Sequence, residues 1–304
     1  MPGTAFVFPG QNSHFVGMAS DLWESAGVGR SVLERADQVL GFPLTALLLG
    51  GPESELTATQ NQQPAILAHS AACLALLGER GIRPQMVAGH SLGEYSALLA
   101  AGCLGFDDAL RLVRRRGELM SQAGGGAMAA VLGLPAATVE GVCAEAREVG
   151  VVGIANYNCP GQIVISGEPA AVDEATSRLK AAGATRVVPL RVSGAFHSPL
   201  MQPAADQLGP VLESAPFRDA QVPLVSNVDA QPRTSGAEIR DALKRQISGP
   251  VLWEAGVRRM IDEGVSTFVE VGPGRVVSGL VRCIAPDART ICAGTGDEIA
   301  ALSL

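Results

Sequence analysis

Apolar positions along the chain fall into two alternating kinds of run. TAFVFPG (4–10) is a short, unbroken apolar stretch closed by a Pro-Gly turn, which reads as a buried strand. SVLERADQVL (31–40) switches to apolar residues three and four apart. PAILAHSAACLALLGER (64–80) repeats that helical spacing, with Pro64 expected near its N-terminus. PQMVAG (84–89) is a second short apolar run, and helical spacing resumes in LGEYSALLAAG and DDALRLVRRRGELMSQA. Buried strands alternating with helices predict an α/β fold with a mostly parallel sheet covered on both faces.

The pattern changes at GGG (124–126). AMAAVLGL reads as a strand, PAATVEGVCAEAREVG as a helix, and VVGIANYN and GQIVISG as two strands joined by a turn containing Cys-Pro. PAAVDEATSRLKAAG then reads as a helix and ATRVVPL as a last strand. This β-α-β-β-α-β order is the split βαβ arrangement of a ferredoxin-like unit. It predicts a small subdomain at 125–191 inserted into a larger one made of 1–124 and 192–304. VPLVSN (222–227) and TFVEVGPG (267–274) are expected to return to the main sheet.

Composition narrows the function classes. Apolar residues make up 47 % and charged residues 17 % of 304, an ordinary globular balance; with 4 % aromatics the core must rest on Ala, Val, Leu and Ile. A net charge of −7 argues against a nucleic-acid binder, and leaves room for an anionic ligand at a local arginine. Six scattered cysteines without a C-x-x-C pair suggest neither a disulfide framework nor a metal site, and no cofactor is expected. The N-terminus lacks a basic leader before a long apolar stretch. The most apolar segment, broken by His69 and Ser70, falls short of the ~20 residues that span a bilayer. A cytoplasmic chain without a membrane partner is the expectation.

Gly89-His90-Ser91-Leu92-Gly93 fits the G-x-S-x-G nucleophile elbow, in which a strand turns sharply into a helix and leaves the serine on the corner. Side chains two residues before and after the serine would collide, hence the glycines. The new helix points its free N–H groups at the reacting carbonyl, so the Leu92 N–H is a natural oxyanion donor. The serine needs a base, and there are four histidines. His69 lies in an apolar helical pattern, and His90 adjoins the serine on a backbone that aims it elsewhere. His197, in a loop after the inserted unit, is the candidate, with His14 as its rival. Arg111, Arg114, Arg115 and Arg116 share one helix, from which at most one or two can reach a cleft.

FPGQNSH, GHSLGEYSAL, VRRRGELM, ANYNCPGQIVISG, GAFHSPLM, RQISGPVLW and FVEVGPG occur in the order found in malonyl-CoA:acyl carrier protein transacylases, and from about residue 5 to about 283 the chain resembles that family. The resemblance implies an α/β-hydrolase-like core with a ferredoxin-like subdomain. It also implies a ping-pong transfer in which Ser91 accepts the malonyl group, His197 moves the proton and Arg116 pairs with the malonyl carboxylate. By the same resemblance Gln11 supplies the second oxyanion N–H beside Leu92, Gln246 helps position the histidine, and Asn158 sits at the cleft edge. Phe196 would fill the space of an α-methyl group. Malonyl-CoA and an acyl carrier protein are the implied partners, and a monomer the implied state. The chain departs from the family at Gly10-Gln11-Asn12-Ser13-His14, where Gly-Gln-Gly-Ser-Gln is usual. Asparagine is among the least costly substitutes for glycine at positive φ. His14 is expected to be a surface histidine.

Two rivals follow from the same residues: an acyl hydrolase of this architecture, and a non-catalytic docking component of a synthase. The hydrolase would be marked by loss of the arginine, and intact Ser91, His197 and Arg116 speak against the docking component. Fatty-acid and polyketide synthesis both accommodate a free-standing enzyme of this kind. Docking an acidic carrier onto an acidic protein calls for a local basic patch, for which Arg111, Arg114, Lys180, Arg186, Arg258 and Arg259 are candidates.

Overall fold

The computed structural model describes residues 3–25 and 27–303. Among them the strands in chain order are β1 (Gly3–Phe8), β2 (Met86–Gly89), β3 (Ala127–Leu132), β4 (Val152–Cys159), β5 (Gln162–Gly167), β6 (Arg186–Pro189), β7 (Leu224–Val225), β8 (Pro232–Arg233), β9 (Val265–Val271) and β10 (Arg289–Ala293). They form two sheets. The larger has the order β10-β9-β1-β2-β7-β8, parallel except for the edge strand β8. Its centre is buried on both faces, which explains the unbroken apolar runs. β1 sends Phe6 and Phe8 into one cluster and Ala5 and Val7 into the other. The helices Val28–Leu40, Thr59–Glu79 and Phe106–Gln122 cover the first face, and Trp253–Asp262 and Val276–Ile284 the second.

The smaller sheet is antiparallel with the order β4-β5-β3-β6, the connectivity of a ferredoxin-like unit. Alternation along β3 divides its side chains. Ala129 and Val131 pack under the helices Ala136–Ala146 and Pro169–Ala181, while Met128 and Ala130 face the large core. The two sheets are tied by backbone hydrogen bonds around Val251, whose carbonyl accepts from Tyr157 at 2.9 Å and whose N–H donates to Ala155 at 2.8 Å. A cleft is left between them.

Several elements differ from the expectation or add to it. The helix expected to open at Pro64 begins at Thr59, so Pro64 lies inside it. Proline has no N–H to give the Gln60 carbonyl four residues back, and Arg114 supplies the missing donor through Nη1 at 2.9 Å. The run VPLVSN contributes only Leu224 and Val225 to the sheet, because the chain then turns to bring Asn227 under the serine. β8 and β10 are additions to the expected strands: β8 is a two-residue edge strand, and RTICA is a half-exposed edge strand without an unbroken apolar run. The exchange at Pro64 is testable by a double-mutant cycle. Arg114→Ala should lower the unfolding free energy by about 1–2 kcal/mol. In a Pro64→Ala background the loss should be less than half as large, because the introduced alanine supplies its own N–H.

Candidate active site

β2 ends at Gly89, and the helix Gly93–Ala100 starts four residues later with Ser91 between them at φ 53°. A Cβ on Gly89 would stand 1.9 Å from the Gly93 carbonyl carbon, and one on Gly93 would stand 2.3 Å from the Phe8 carbonyl oxygen. The first glycine is thus demanded by the turn itself and the second by β1 next to it. Asn227 clamps the corner. Its Oδ1 accepts from the Ser91 N–H at 2.7 Å and its Nδ2 donates to the Gly89 carbonyl at 2.7 Å.

Ser91 Oγ lies 2.7 Å from His197 Nε2. On the far side of the ring, Nδ1 meets two carbonyl oxygens, Gln246 at 2.9 Å and Gly249 at 3.1 Å. Carbonyls only accept, so Nδ1 carries the proton and Nε2 is left as the acceptor for the serine hydroxyl. No carboxylate touches the ring among the described residues. Burial, and after it the charge of Arg116, push the His197 pKa down to about 3, so the ring is neutral at physiological pH. His69 is buried against the Met18 carbonyl at 2.9 Å. His90 lies 2.8 Å from Asn158 Oδ1. His14 is half-buried, 3.1 Å from Thr57 Oγ1. None of these three approaches the serine hydroxyl.

Of the four clustered arginines only Arg116 is fully buried. Its Nη1 donates to Gln63 Oε1 at 2.8 Å, and its Nη2 to Ser91 Oγ at 3.2 Å and Gln246 Oε1 at 3.1 Å. Its Nε–H has no acceptor among the described residues. The guanidinium stands 5.4 Å over the Tyr95 ring and touches no carboxylate among the described residues. Gln246 also donates Nε2 to the Ser91 carbonyl at 2.9 Å and to Glu94 Oε2 at 2.8 Å. One side chain therefore joins the arginine, the elbow and a buried acid, while its backbone carbonyl holds the histidine.

Gln11 and Asn12 sit on a loop beside the elbow. Asn12 has φ 68°, the left-handed backbone that asparagine tolerates best after glycine. Its N–H donates to Gln62 Oε1 at 3.1 Å, and Gln63 Nε2 donates to Gln11 Oε1 at 3.1 Å. The backbone N–H groups of Gln11 and Leu92 find no acceptor among the described residues. A cavity of about 270 Å³ opens on Ser91, with Gln11, Asn158, Phe196 and His197 in its walls. Gln246 and Arg116 lie outside that lining and meet it through Ser91. Sequence reasoning does not single out Asn227, Gln63 or Glu94. Glu94 has a signal, as an acid in the first turn of an otherwise apolar helix, and Gln63 precedes the interior proline. Asn227 has none.

A strand-to-helix elbow, a serine hydrogen-bonded to a neutral imidazole, and two free N–H groups in the adjoining backbone are an arrangement with the chemistry for acyl transfer through a serine, on an α/β-hydrolase-like core. Residues 5–283 match the acyl transferase domain family, and the chain belongs to it. It is 46 % identical over 303 residues to the malonyl CoA-acyl carrier protein transacylase of Bacillus subtilis strain 168, covering 98 % of this chain and 96 % of that protein. The protein of the same name from Escherichia coli K12 is 47 % identical over 284 residues, 92 % of each. Among solved structures, an acyl carrier protein S-malonyltransferase from Vibrio cholerae superposes with a TM-score of 0.96 at 42 % identity, over 99 % of this chain and all of that one. The malonyl-transacylase PlMCAT, solved in complex with the type II polyketide acyl carrier protein AntF, gives 0.95 at 43 % identity over 98 % of each chain.

Two measurements probe the geometry. Asn227→Ala leaves a buried donor and a buried acceptor unpaired and should cost about 2–3 kcal/mol in denaturant unfolding. An uncharged serine-directed phosphonate ester should label Ser91 at a rate that stays flat from about pH 8 down to about pH 5, because a base with its pKa depressed remains neutral there. His197→Ala should slow that labelling by about 10²–10⁴-fold.

Proposed function

We propose that this chain transfers a malonyl group from malonyl-CoA to the phosphopantetheine thiol of an acyl carrier protein through an ester on Ser91. Arg116 carries the reading. It is a buried guanidinium 3.2 Å from the nucleophile, with an unpaired Nε–H and only neutral oxygens as acceptors among the described residues. A buried cation without a directly paired anion is unfavourable, and a substrate carboxylate supplies that anion. Binding through Nε–H and an Nη–H in parallel selects a carboxylated acyl group over acetyl.

His197 Nε2 takes the Ser91 proton as Oγ attacks the thioester carbonyl. The resulting oxyanion lies between the N–H groups of Gln11 and Leu92, and the intermediate expels CoA, whose sulfur receives the proton from His197. The carrier thiol then gives its proton to His197 and attacks the ester carbonyl; the bond to Oγ breaks, and Ser91 Oγ takes the proton back from His197. Phe196, in the cavity wall, favours malonyl over methylmalonyl by the ~1–3 kcal/mol that one methyl group is worth. Asn158 shapes the same wall, and Gln246 positions both Arg116 and His197. The subdomains 1–124 with 192–304 and 125–191 supply the two sides of the cleft.

Serine, histidine and arginine all come from one chain, which supports action as a monomer. No helix among the described residues is long and apolar enough to cross a membrane, and a cytoplasmic supply of CoA thioesters suits the reading. Of the six basic residues considered for carrier docking, Lys180 and Arg186 are exposed and have no acidic partner within 4.0 Å among the described residues. They are the stronger candidates.

Brief incubation with malonyl-CoA should add one malonyl group to the intact protein, with none on Ser91→Ala, and a carrier protein should clear it. Arg116→Ala should lower the rate of malonylation by about 10–100-fold while leaving acetylation much less affected. Loss of the adduct to water as fast as to the carrier would instead establish the hydrolase.

A further inference from the structure

Glu94 is 1 % exposed in the first turn of the helix that follows the nucleophile. Its Oε2 accepts from Gln246 Nε2 at 2.8 Å and from the Asn227 N–H at 3.3 Å, whereas Oε1 has no partner among the described residues. Gln246 turns its other amide atom, Oε1, to Arg116 at 3.1 Å. A single amide therefore bridges the carboxylate and the guanidinium, accepting from the cation and donating to the anion. With Glu94 ionised, this buried group of side chains is neutral. A substrate carboxylate docked on Arg116 would leave one net negative charge in a closed, low-dielectric site.

We propose that Glu94 takes up a proton on Oε1 as the acyl carboxylate binds Arg116, so that malonyl loading is coupled to protonation of this buried acid. The inference rests on the malonyl reading above. A proton on Oε1, the oxygen without a partner, leaves both hydrogen bonds to Oε2 intact. On binding, solvent supplies the proton and the site keeps its charge; when the acyl group departs, the proton returns.

The surroundings set Glu94 up for this exchange. Burial raises its pKa to about 7, against the opposing pull of Gln246, the Asn227 N–H, Ser226 and the Arg116 charge. Arg116 reaches it from the helix Phe106–Gln122, and Arg233 of β8 acts on it at longer range. Tyr95 lies beside it on its own helix, with a hydroxyl pKa raised by burial to about 12. The helix Thr59–Glu79 packs on the same helix, but its His69 faces the Met18 carbonyl. An arriving anion weakens the pull of Arg116 and raises the Glu94 pKa further, so binding takes up protons. The coupling costs nothing below the pKa of the free form and grows as pH rises through it.

The test counts protons. Ser91→Ala, which cannot be acylated, is titrated with malonyl-CoA and with acetyl-CoA by calorimetry in buffers of different ionisation enthalpy at about pH 7.5. Acetyl-CoA carries the same phosphates and corrects for them. The expected excess is about 0.5–1 proton taken up per malonyl-CoA bound, abolished in Ser91→Ala/Glu94→Gln. In the wild type the KM for malonyl-CoA should rise roughly tenfold per pH unit above about pH 7, with kcat little changed; in Glu94→Gln the rise should stay under about twofold. Malonyl-CoA binding without excess proton uptake overturns the proposal, and this outcome needs only the Ser91→Ala protein. Malonyl-CoA that binds no better than acetyl-CoA and leaves wild-type Ser91 unmodified overturns the transfer reading, and this inference with it.

Discussion

The constraint on which the rest of the site depends is the absence of room at the end of β2. Gly89 and Gly93 bring the incoming strand, the outgoing helix and β1 so close that a Cβ at either position would overlap backbone. That contact forces Ser91 into a left-handed conformation at the start of the helix, where the Leu92 N–H has no acceptor among the described residues. Asn227 holds the corner from below with one donor and one acceptor, each matched to a backbone group that the sharp turn leaves without a partner. The placement of the Ser91 hydroxyl against His197 and the free N–H of Leu92 next to it thus come from the same backbone packing.

Around this corner the protein uses amides where ionised groups would be the obvious choice. Gln63 and Gln246 satisfy Arg116, Gln62 and Gln63 fasten the loop that carries Gln11, and backbone carbonyls hold His197. Amides accept and donate without adding charge. A dense polar site can then be buried without pairing its arginine directly to an acid side chain. Glu94 is the one acid connected to this network among the described residues, and it is connected through an amide.

Much of this is legible in the sequence where chemistry is written locally. The elbow is a five-residue pattern, and the glycines it requires follow from sterics alone. The ferredoxin-like order is readable because each of its elements is amphipathic and bounded by turn residues. The residues favour His197 over His14 through its place after the inserted unit, but setting His14 aside requires the family resemblance, because both are loop histidines until the fold brings one of them to Ser91. Pro64 misleads, because the donor that makes an interior proline tolerable is Arg114, on another helix far along the chain. Asn227 is invisible for the same reason: its partners are 136 and 138 residues away. Long-range polar pairing leaves no periodicity behind.

The imidazole of His197 rests on two carbonyls instead of an acid, and this bears on how it holds a proton. Carbonyl oxygens fix which ring nitrogen carries the hydrogen without placing a full negative charge behind the ring, so an imidazolium there gains less than it would beside a carboxylate. A proton placed on Nε2 is given up again readily. The ring is built to return to its neutral form after each transfer rather than to store charge.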